Sequence, residues 1–328
     1  MKSEKIKAIT QRLHKKAIEL QVLSDPDVDS IVKNWIPTSS IALNHILGGG
    51  LPCGRLTEIY GEESGGKSSL AADIIANTQK IGGIAVIIDS EQVFTPARAT
   101  AMGVDVENVF RSSEPTVEGA FDIMHAFLDD YATDSTPLCI VWDSIAASPT
   151  RAELEGEIDA TQALGEKARL LSKGFRQIQS KVNTNTAIIF INQVREDFSI
   201  RFGKKTRATG GRAMRFAASI RLEITRIANV KESEKIIGIT CKVETKKSKI
   251  TAPNRAAVFD MFYAGGIDDS NFMLDKMVEA QILVKRVPWY IFGEGKKEIK
   301  FRAKDFKKFL FELGDAANPL LIQALELI

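Results

Sequence analysis

The sequence predicts an α/β fold: a mostly parallel sheet with helices on both faces, an antiparallel extension at one edge, and a small C-terminal α/β domain. Three observations predict it. From Arg55 to Gln193, apolar runs alternate with helical segments, the pattern of a sheet covered on both faces. One of those runs, "RLTEIYG", passes through a glycine-rich loop straight into a helix. After Ser219 the strands follow one another with only polar turns between them, which is antiparallel order.

Taken in order, residues 2–23 place Ile6, Ile9, Leu13, Ala17 and Leu20 on one helical face with lysines opposite, and "SDPDVDS" ends that pattern. A strand over "RLTEIY" leads to a helix beginning near Lys67, with Leu70, Ile74 and Ile75 on one side. "GIAVIID" is the next strand, followed by a short helix near 95–102, a strand over "NVFRS" and a helix from about Val117 to Tyr131. "PLCIVWD" and "AIIFINQ" are strands on either side of a long helix from about Thr161 to Val182. "SIRLEITRI", "GITCKVETKK" and "AVFDMFY" then form the antiparallel extension, and "YAGGIDDSN" marks a boundary. The expected division is an N-terminal helical segment over 1–32, a core over 33–268 and a small C-terminal domain over 269–328.

Composition narrows the function classes. The 328 residues are 44% hydrophobic, enough for a full core, and the net charge of +2 is too small to announce a nucleic-acid binder by itself. No apolar run is long enough to span a bilayer and the lysine-rich start lacks a signal-peptide h-region, so a soluble, cytoplasmic protein is expected. Cys53, Cys139 and Cys241 are widely separated and no histidine stands near them, so zinc has little support; Cys139 reads as core.

The loop "YGEESGGKSSL" carries the strongest chemical signal. Gly61, Gly66, Lys67 and Ser68 fit the spacing G-x-x-x-x-G-K-[ST] of a P-loop. Backbone N–H groups along Gly61, Glu62, Glu63, Ser64, Gly65, Gly66, Lys67, Ser68 and Ser69 can cradle phosphates at a helix N-terminus. Lys67 meets the outer phosphates, and the Ser68 hydroxyl can ligate magnesium, so ATP and Mg²⁺ are the expected cofactors.

In a parallel sheet, polar residues at the carboxyl ends of the strands converge on those phosphates. Asp143, ending "CIVWD", takes the place of a Walker B aspartate that holds magnesium. "AVIIDSE" ends in two carboxylates, Asp89 and Glu91, and Glu91 is the candidate base that orients water. Asn192 and Gln193 end "IIFINQ", and the Gln193 amide could report the γ-phosphate.

The next segment, residues 194–215, carries seven basic residues against two acidic ones, an excess of five positive charges where the whole chain has +2. Its cations can neutralise phosphates while Phe198 and Phe202 offer stacking surfaces. Read alone it is also compatible with a solvated charged loop or with the basic lid of a small-molecule kinase.

Together "LPCGRLTEIYGEESGGKSSL", "IIDSE", "VWDSIAA", "EGEI" and "FINQVR…GG" resemble the RecA-type DNA strand-exchange recombinases, in the same order and at similar spacing, from about Ile36 to beyond Trp289. The resemblance implies a RecA-like P-loop NTPase core, DNA-stimulated ATP hydrolysis, and a helical filament on single-stranded DNA that pairs it with double-stranded DNA. It also implies ATP sandwiched between protomers, with Glu91 as catalytic glutamate and Gln193 as γ-phosphate sensor. Lys247 and Lys249 match the lysine pair that reaches ATP in the adjacent protomer; from the residues alone they read as an exposed strand edge that deters aggregation. Glu155, Gly156, Glu157 and Ile158 correspond to a first DNA-binding loop. Arg195, Phe198, Ile200, Arg201, Phe202, Lys204, Lys205, Arg207, Gly210, Gly211 and Arg212 belong to the second and its end.

Several positions depart from the family pattern. Thr95 and Arg98 stand where the family has an aspartate and a tyrosine near adenine, whereas Tyr263 sits where the family has another adenine neighbour. No Lys-x-Phe-Gly stretch follows the N-terminal helix, and the chain ends at "LLIQALELI" without an acidic tail, which suggests a divergent member such as a phage would carry. A ring-shaped helicase on the same core is the main competing function, although such motors generally use an arginine finger where this chain has the lysine pair. A non-catalytic DNA-binding switch is a further one.

Overall fold

A computed structural model describes Arg12 and residues 31–131, 133–156, 160–196, 206–208, 211–293, 295 and 298–327. The chain divides into two compact units, 1–33 and 34–328. The amphipathic helix expected over 2–23 lies outside the described residues except for Arg12.

The second unit opens with β1 (Trp35–Ile36), α1 (Ile41–Leu47) and β2 (Leu51–Pro52), a short lead-in that sequence periodicity did not reveal. Then come β3 (Arg55–Gly61), α2 (Lys67–Lys80), β4 (Ile84–Asp89), α3 (Pro96–Ala101), β5 (Val109–Ser112), α4 (Val117–Asp130) and β6 (Leu138–Asp143). They are followed by α5 (Arg151–Glu155), α6 (Ala160–Gln179), β7 (Thr186–Glu196), β8 (Thr206–Ala208) and α7 (Gly211–Ala217). The last strands of the large sheet are β9 (Ile220–Glu232), β10 (Lys235–Ser248), β11 (Ala256–Phe262) and β12 (Gly266–Asp268).

The large sheet runs β12-β11-β10-β9-β3-β7-β6-β4-β5, with β8 paired to the end of β7. Contacts from β9 through β3, β7, β6 and β4 to β5 are parallel, and those from β9 out to β12 are antiparallel. The expected antiparallel extension therefore begins one strand later than its sequence run, because β9 itself lies parallel to β3.

The period of two along the strands divides the core between the sheet's faces. Ala85 and Ile87 of β4 and Cys139 and Val141 of β6 join α1 and α2 in one apolar cluster. Val86, Ile88, Ile140 and Trp142 join α4 and α6 in the other. There the Phe121 ring meets Trp142 and Phe175 edge-on, and a Cβ on Gly174 would come 2.3 Å from that ring, so glycine lets α6 close on α4. Burying Leu70, Ile74 and Ile75 under α2 contributes about 1.5–3 kcal/mol for each side chain.

The C-terminal residues form α8 (Ser270–Glu279), the antiparallel sheet β13 (Leu283–Arg286), β14 (Trp289–Phe292) and β15 (Ile299–Arg302), then α9 (Phe306–Leu313) and α10 (Ala317–Leu325). Their apolar side chains share the α1–α2 cluster. Asp269 ties this part down by accepting from the Ser40 hydroxyl and the Ala42 N–H, both at 2.9 Å. Among the described residues no helix is long and apolar enough to cross a membrane.

Candidate functional site

β3 ends at Gly61, where a Cβ would lie 2.2 Å from the Ile224 carbonyl oxygen of β9; only glycine allows the loop to leave the sheet there. The loop turns back through Gly66, at φ 98°, which is the N-cap of α2. No side chain caps α2 and its first turn holds no acidic residue, so its unpaired N–H groups and positive end face the open cleft. That cleft, of about 760 Å³, is lined by the P-loop from Glu63 to Ser69 and by Glu91, Asp143, Gln193 and Tyr263.

Lys67 is buried, and its Nζ donates to the carbonyls of Gly61 at 3.1 Å and Glu62 at 2.7 Å. Burial lowers its pKa, against the opposing charges of Asp143, Glu91, Glu63 and Glu62. Ser68 Oγ donates to Asp143 Oδ2 at 2.6 Å, across the gap between α2 and β6. Burial pushes the Asp143 carboxyl up to about 6; the Ser68 hydroxyl opposes this, while Glu91 and Asp89 add to it. Ser68 and Asp143 thus present two adjacent hard oxygens, a donor set that suits magnesium when phosphate oxygens complete it. Among the described residues no group of three or more His, Cys, Asp or Glu side chains could hold a metal without such help.

The two carboxylates at the end of β4 part company. Asp89 is fully buried, accepting from the Val93 and Phe94 N–H groups at 3.0 Å and from Arg111 Nε at 2.9 Å. Glu91 enters the cleft and accepts from Gln193 Nε2 at 2.8 Å and from the Ser144 hydroxyl. Ser144, directly after Asp143, was missed from the sequence; its only signal was the "WDS" triplet. Asn192, beside Gln193, points away from the cleft into a buried group: its Nδ2 donates to Glu58 at 2.9 Å, and Glu58 pairs with Arg221.

A family model described as the RecA N-terminal domain matches residues 2–268. RecA proteins are similar over most of the chain: 37% identical in Aquifex pyrophilus (99% of this chain, 91% of the relative) and 38% in Bacteroides thetaiotaomicron (98% of each). In Acidothermus cellulolyticus the identity is 42%, over 87% of this chain and 81% of the relative. The chain belongs to the RecA family. It is an ATP-dependent recombination and strand-exchange protein and a DNA-dependent ATPase; the helicase and kinase alternatives are not favoured.

The other residues carried over from the RecA resemblance are spread more widely. Lys247 does not line the cleft of its own chain. Its Nζ donates to the carbonyls of Arg215 at 2.7 Å, Phe216 at 3.3 Å and Ala218 at 2.6 Å, closing the C-terminal end of α7. Burial, with Lys249 and Arg221 nearby, lowers its pKa. Of the two lysines read as a strand edge, only Lys247 lies in a strand: the pairing shifts between Thr245 and Lys247, and β10 stops at Ser248, leaving Lys249 beyond it.

Glu155 and Gly156 are exposed at the end of α5, where Gly156 at φ 73° caps the helix; Glu157 and Ile158 lie outside the described residues. The basic segment over 194–215 is partly regular. β7 continues to Glu196, Arg195 pairs with Arg207 through the backbone of β8, and Gly211 and Arg212 open α7. Phe198, Ile200, Arg201, Phe202, Lys204, Lys205 and Gly210 lie outside the described residues. Thr95 is occupied locally as the N-cap of α3, accepting from the Arg98 N–H, while the Arg98 side chain reaches the cleft.

Proposed function

We propose that this chain forms helical filaments on single-stranded DNA, with ATP bound at the P-loop cleft and completed by Lys247 and Lys249 of the next protomer, and pairs that strand with homologous duplex. The observation that carries this reading is the convergence of Ser68–Asp143 and Glu91–Gln193 on one cleft beside Lys67.

In this mechanism the P-loop N–H groups and Lys67 bind and orient the phosphates. Ser68 and Asp143 would hold Mg²⁺, which would supply neutralisation of phosphate charge. Glu91 orients the attacking water, with Ser144 and Gln193 fixing its carboxylate. The Gln193 amide has two partners to choose between, Glu91 and a γ-phosphate, and that choice passes nucleotide state along β7 to the basic segment. Homologous strand exchange replaces one set of base pairs with an equivalent one, so hydrolysis serves turnover more than pairing.

The test is ATP hydrolysis with and without single-stranded DNA, followed by electron microscopy of the same samples. Stimulation by DNA together with open helical filaments is expected. Turnover indifferent to DNA, or closed rings, would overturn the reading.

A further inference from the structure

Arg98 stands on α3 and reaches over the lip of the cleft to the first turn of α2, where its Nη2 donates to Ser69 Oγ at 3.4 Å. No carboxylate among the described residues pairs with it, whereas the nearby Arg111 is matched to Asp89 at 2.8 Å. The guanidinium is exposed and open to a ligand. The positive end of α2 lies beneath it without an acidic residue in the first turn, and the Lys67 ammonium shares the same cleft. A multiply charged anion in the cleft would be attracted by all three.

We propose that Arg98 is a ligand of the nucleotide's phosphate chain, so that nucleotide selection rests on the triphosphate more than on the base. The proposal rests on the reading of this cleft as a triphosphate site. P-loop N–H groups cradle the α- and β-phosphates at the start of the helix, and Ser69 belongs to that first turn. A guanidinium already at the Ser69 hydroxyl can turn its planar fork onto two non-bridging oxygens.

In this assignment the base would fall beside Tyr263 and Met102, where the Gly265 N–H donates to the Ala101 carbonyl at 3.1 Å and brings the β11–β12 turn against the end of α3. Ring and thioether surfaces there accept either purine by contact area. Were Arg98 instead to act on the base, stacking on either purine would leave tripolyphosphate unaffected, and a fork on O6 and N7 would favour guanine over adenine. The two roles therefore predict different patterns of loss.

The experiment is equilibrium binding of ATP, GTP and tripolyphosphate, each with magnesium and across a salt series, to the wild-type chain, Arg98→Ala, Arg98→Lys and Lys67→Ala. Arg98→Ala is expected to weaken all three ligands about tenfold and by similar factors, as for loss of a hydrogen bond to a charged group. Its salt dependence should be shallower, and Arg98→Lys should recover part of the affinity. Loss confined to the nucleotides with tripolyphosphate spared, loss confined to one purine nucleotide, or no loss with any ligand would overturn the assignment. If Lys67→Ala also binds all three as wild type does, the triphosphate reading itself fails; if it loses them while Arg98→Ala does not, only the role of Arg98 falls.

Discussion

At the scale of single residues, the proposed mechanism has Lys67 and Glu91 act at different stages, because a phosphate ligand is needed in the ground state and a water-orienting carboxylate mainly in the transition state. Lys67→Ala should abolish ATP binding. Glu91→Gln should leave binding largely intact and stop hydrolysis, since an amide oxygen can still accept from Gln193 and Ser144. Normal turnover in the Glu91 variant would remove that residue from the mechanism. Asp143 makes a second prediction, about stability. Its folded-state pKa is raised from 3.8 to about 6, so the folded chain binds the proton more tightly than the unfolded one. The penalty is absent below about 4, grows as pH rises through that window, and is complete above about 6. Asp143→Asn should thus stabilise the protein without nucleotide by about 1–3 kcal/mol at neutral pH, while weakening magnesium-dependent nucleotide binding. Urea denaturation from pH 4 to 7 is the check, and an advantage that does not grow with pH would contradict burial of the carboxylate as its cause.

At the scale of the element, the proposed coupling between nucleotide and DNA runs along β7. Ile188 to Asn192 are buried, so the strand is held rigidly as far as Gln193. Gln193 meets Glu91, and from the next residue, Val194, to Glu196 the same strand is paired with β8 in the basic segment. Gln193→Ala should retain basal ATP binding and weak, salt-sensitive DNA binding, but lose ATP-enhanced DNA affinity and DNA-stimulated hydrolysis together. Replacing Arg201 and Arg207 with alanine should instead weaken DNA binding in every nucleotide state, lowering the salt slope by about 0.7 for each single-strand phosphate that is no longer neutralised. DNA affinity against salt, with and without a non-hydrolysable ATP analogue, separates the two. A Gln193 variant that still gains affinity from the analogue would sink the coupling through β7.

At the scale of the whole molecule, the prediction concerns neighbouring protomers. Lys247 is engaged by three carbonyls at the end of α7, so it must leave them to reach a phosphate in the adjacent chain. Lys247→Ala with Lys249→Ala should impair hydrolysis in the assembled state and leave ATP binding by isolated protomers nearly unchanged. Lys249→Ala alone keeps the α7 contact and isolates the catalytic contribution. Mixing the double variant with Glu91→Gln should restore some activity, because a mixed junction can hold one intact site. No recovery at any ratio, once mixed assembly is confirmed, would rule out a shared site.

The sequence by itself determined what is local. Glycine spacing and the strand before Lys67 specified the phosphate loop, apolar runs specified the parallel strands, and a carboxylate at the end of "CIVWD" specified Asp143. Periodicity and turn chemistry are encoded within a few residues, so they survive without the fold. Only the tertiary structure decided between Asp89 and Glu91, which end the same strand two residues apart. Asp89 is consumed by Arg111 and two backbone amides, and Glu91 is left for the cleft. The same holds for Gln193 on Glu91, 102 residues apart, and Lys247 on the end of α7. Such partners depend on which strands lie side by side and in what register, and that is set by packing across the sheet rather than by any stretch of sequence that could be read alone.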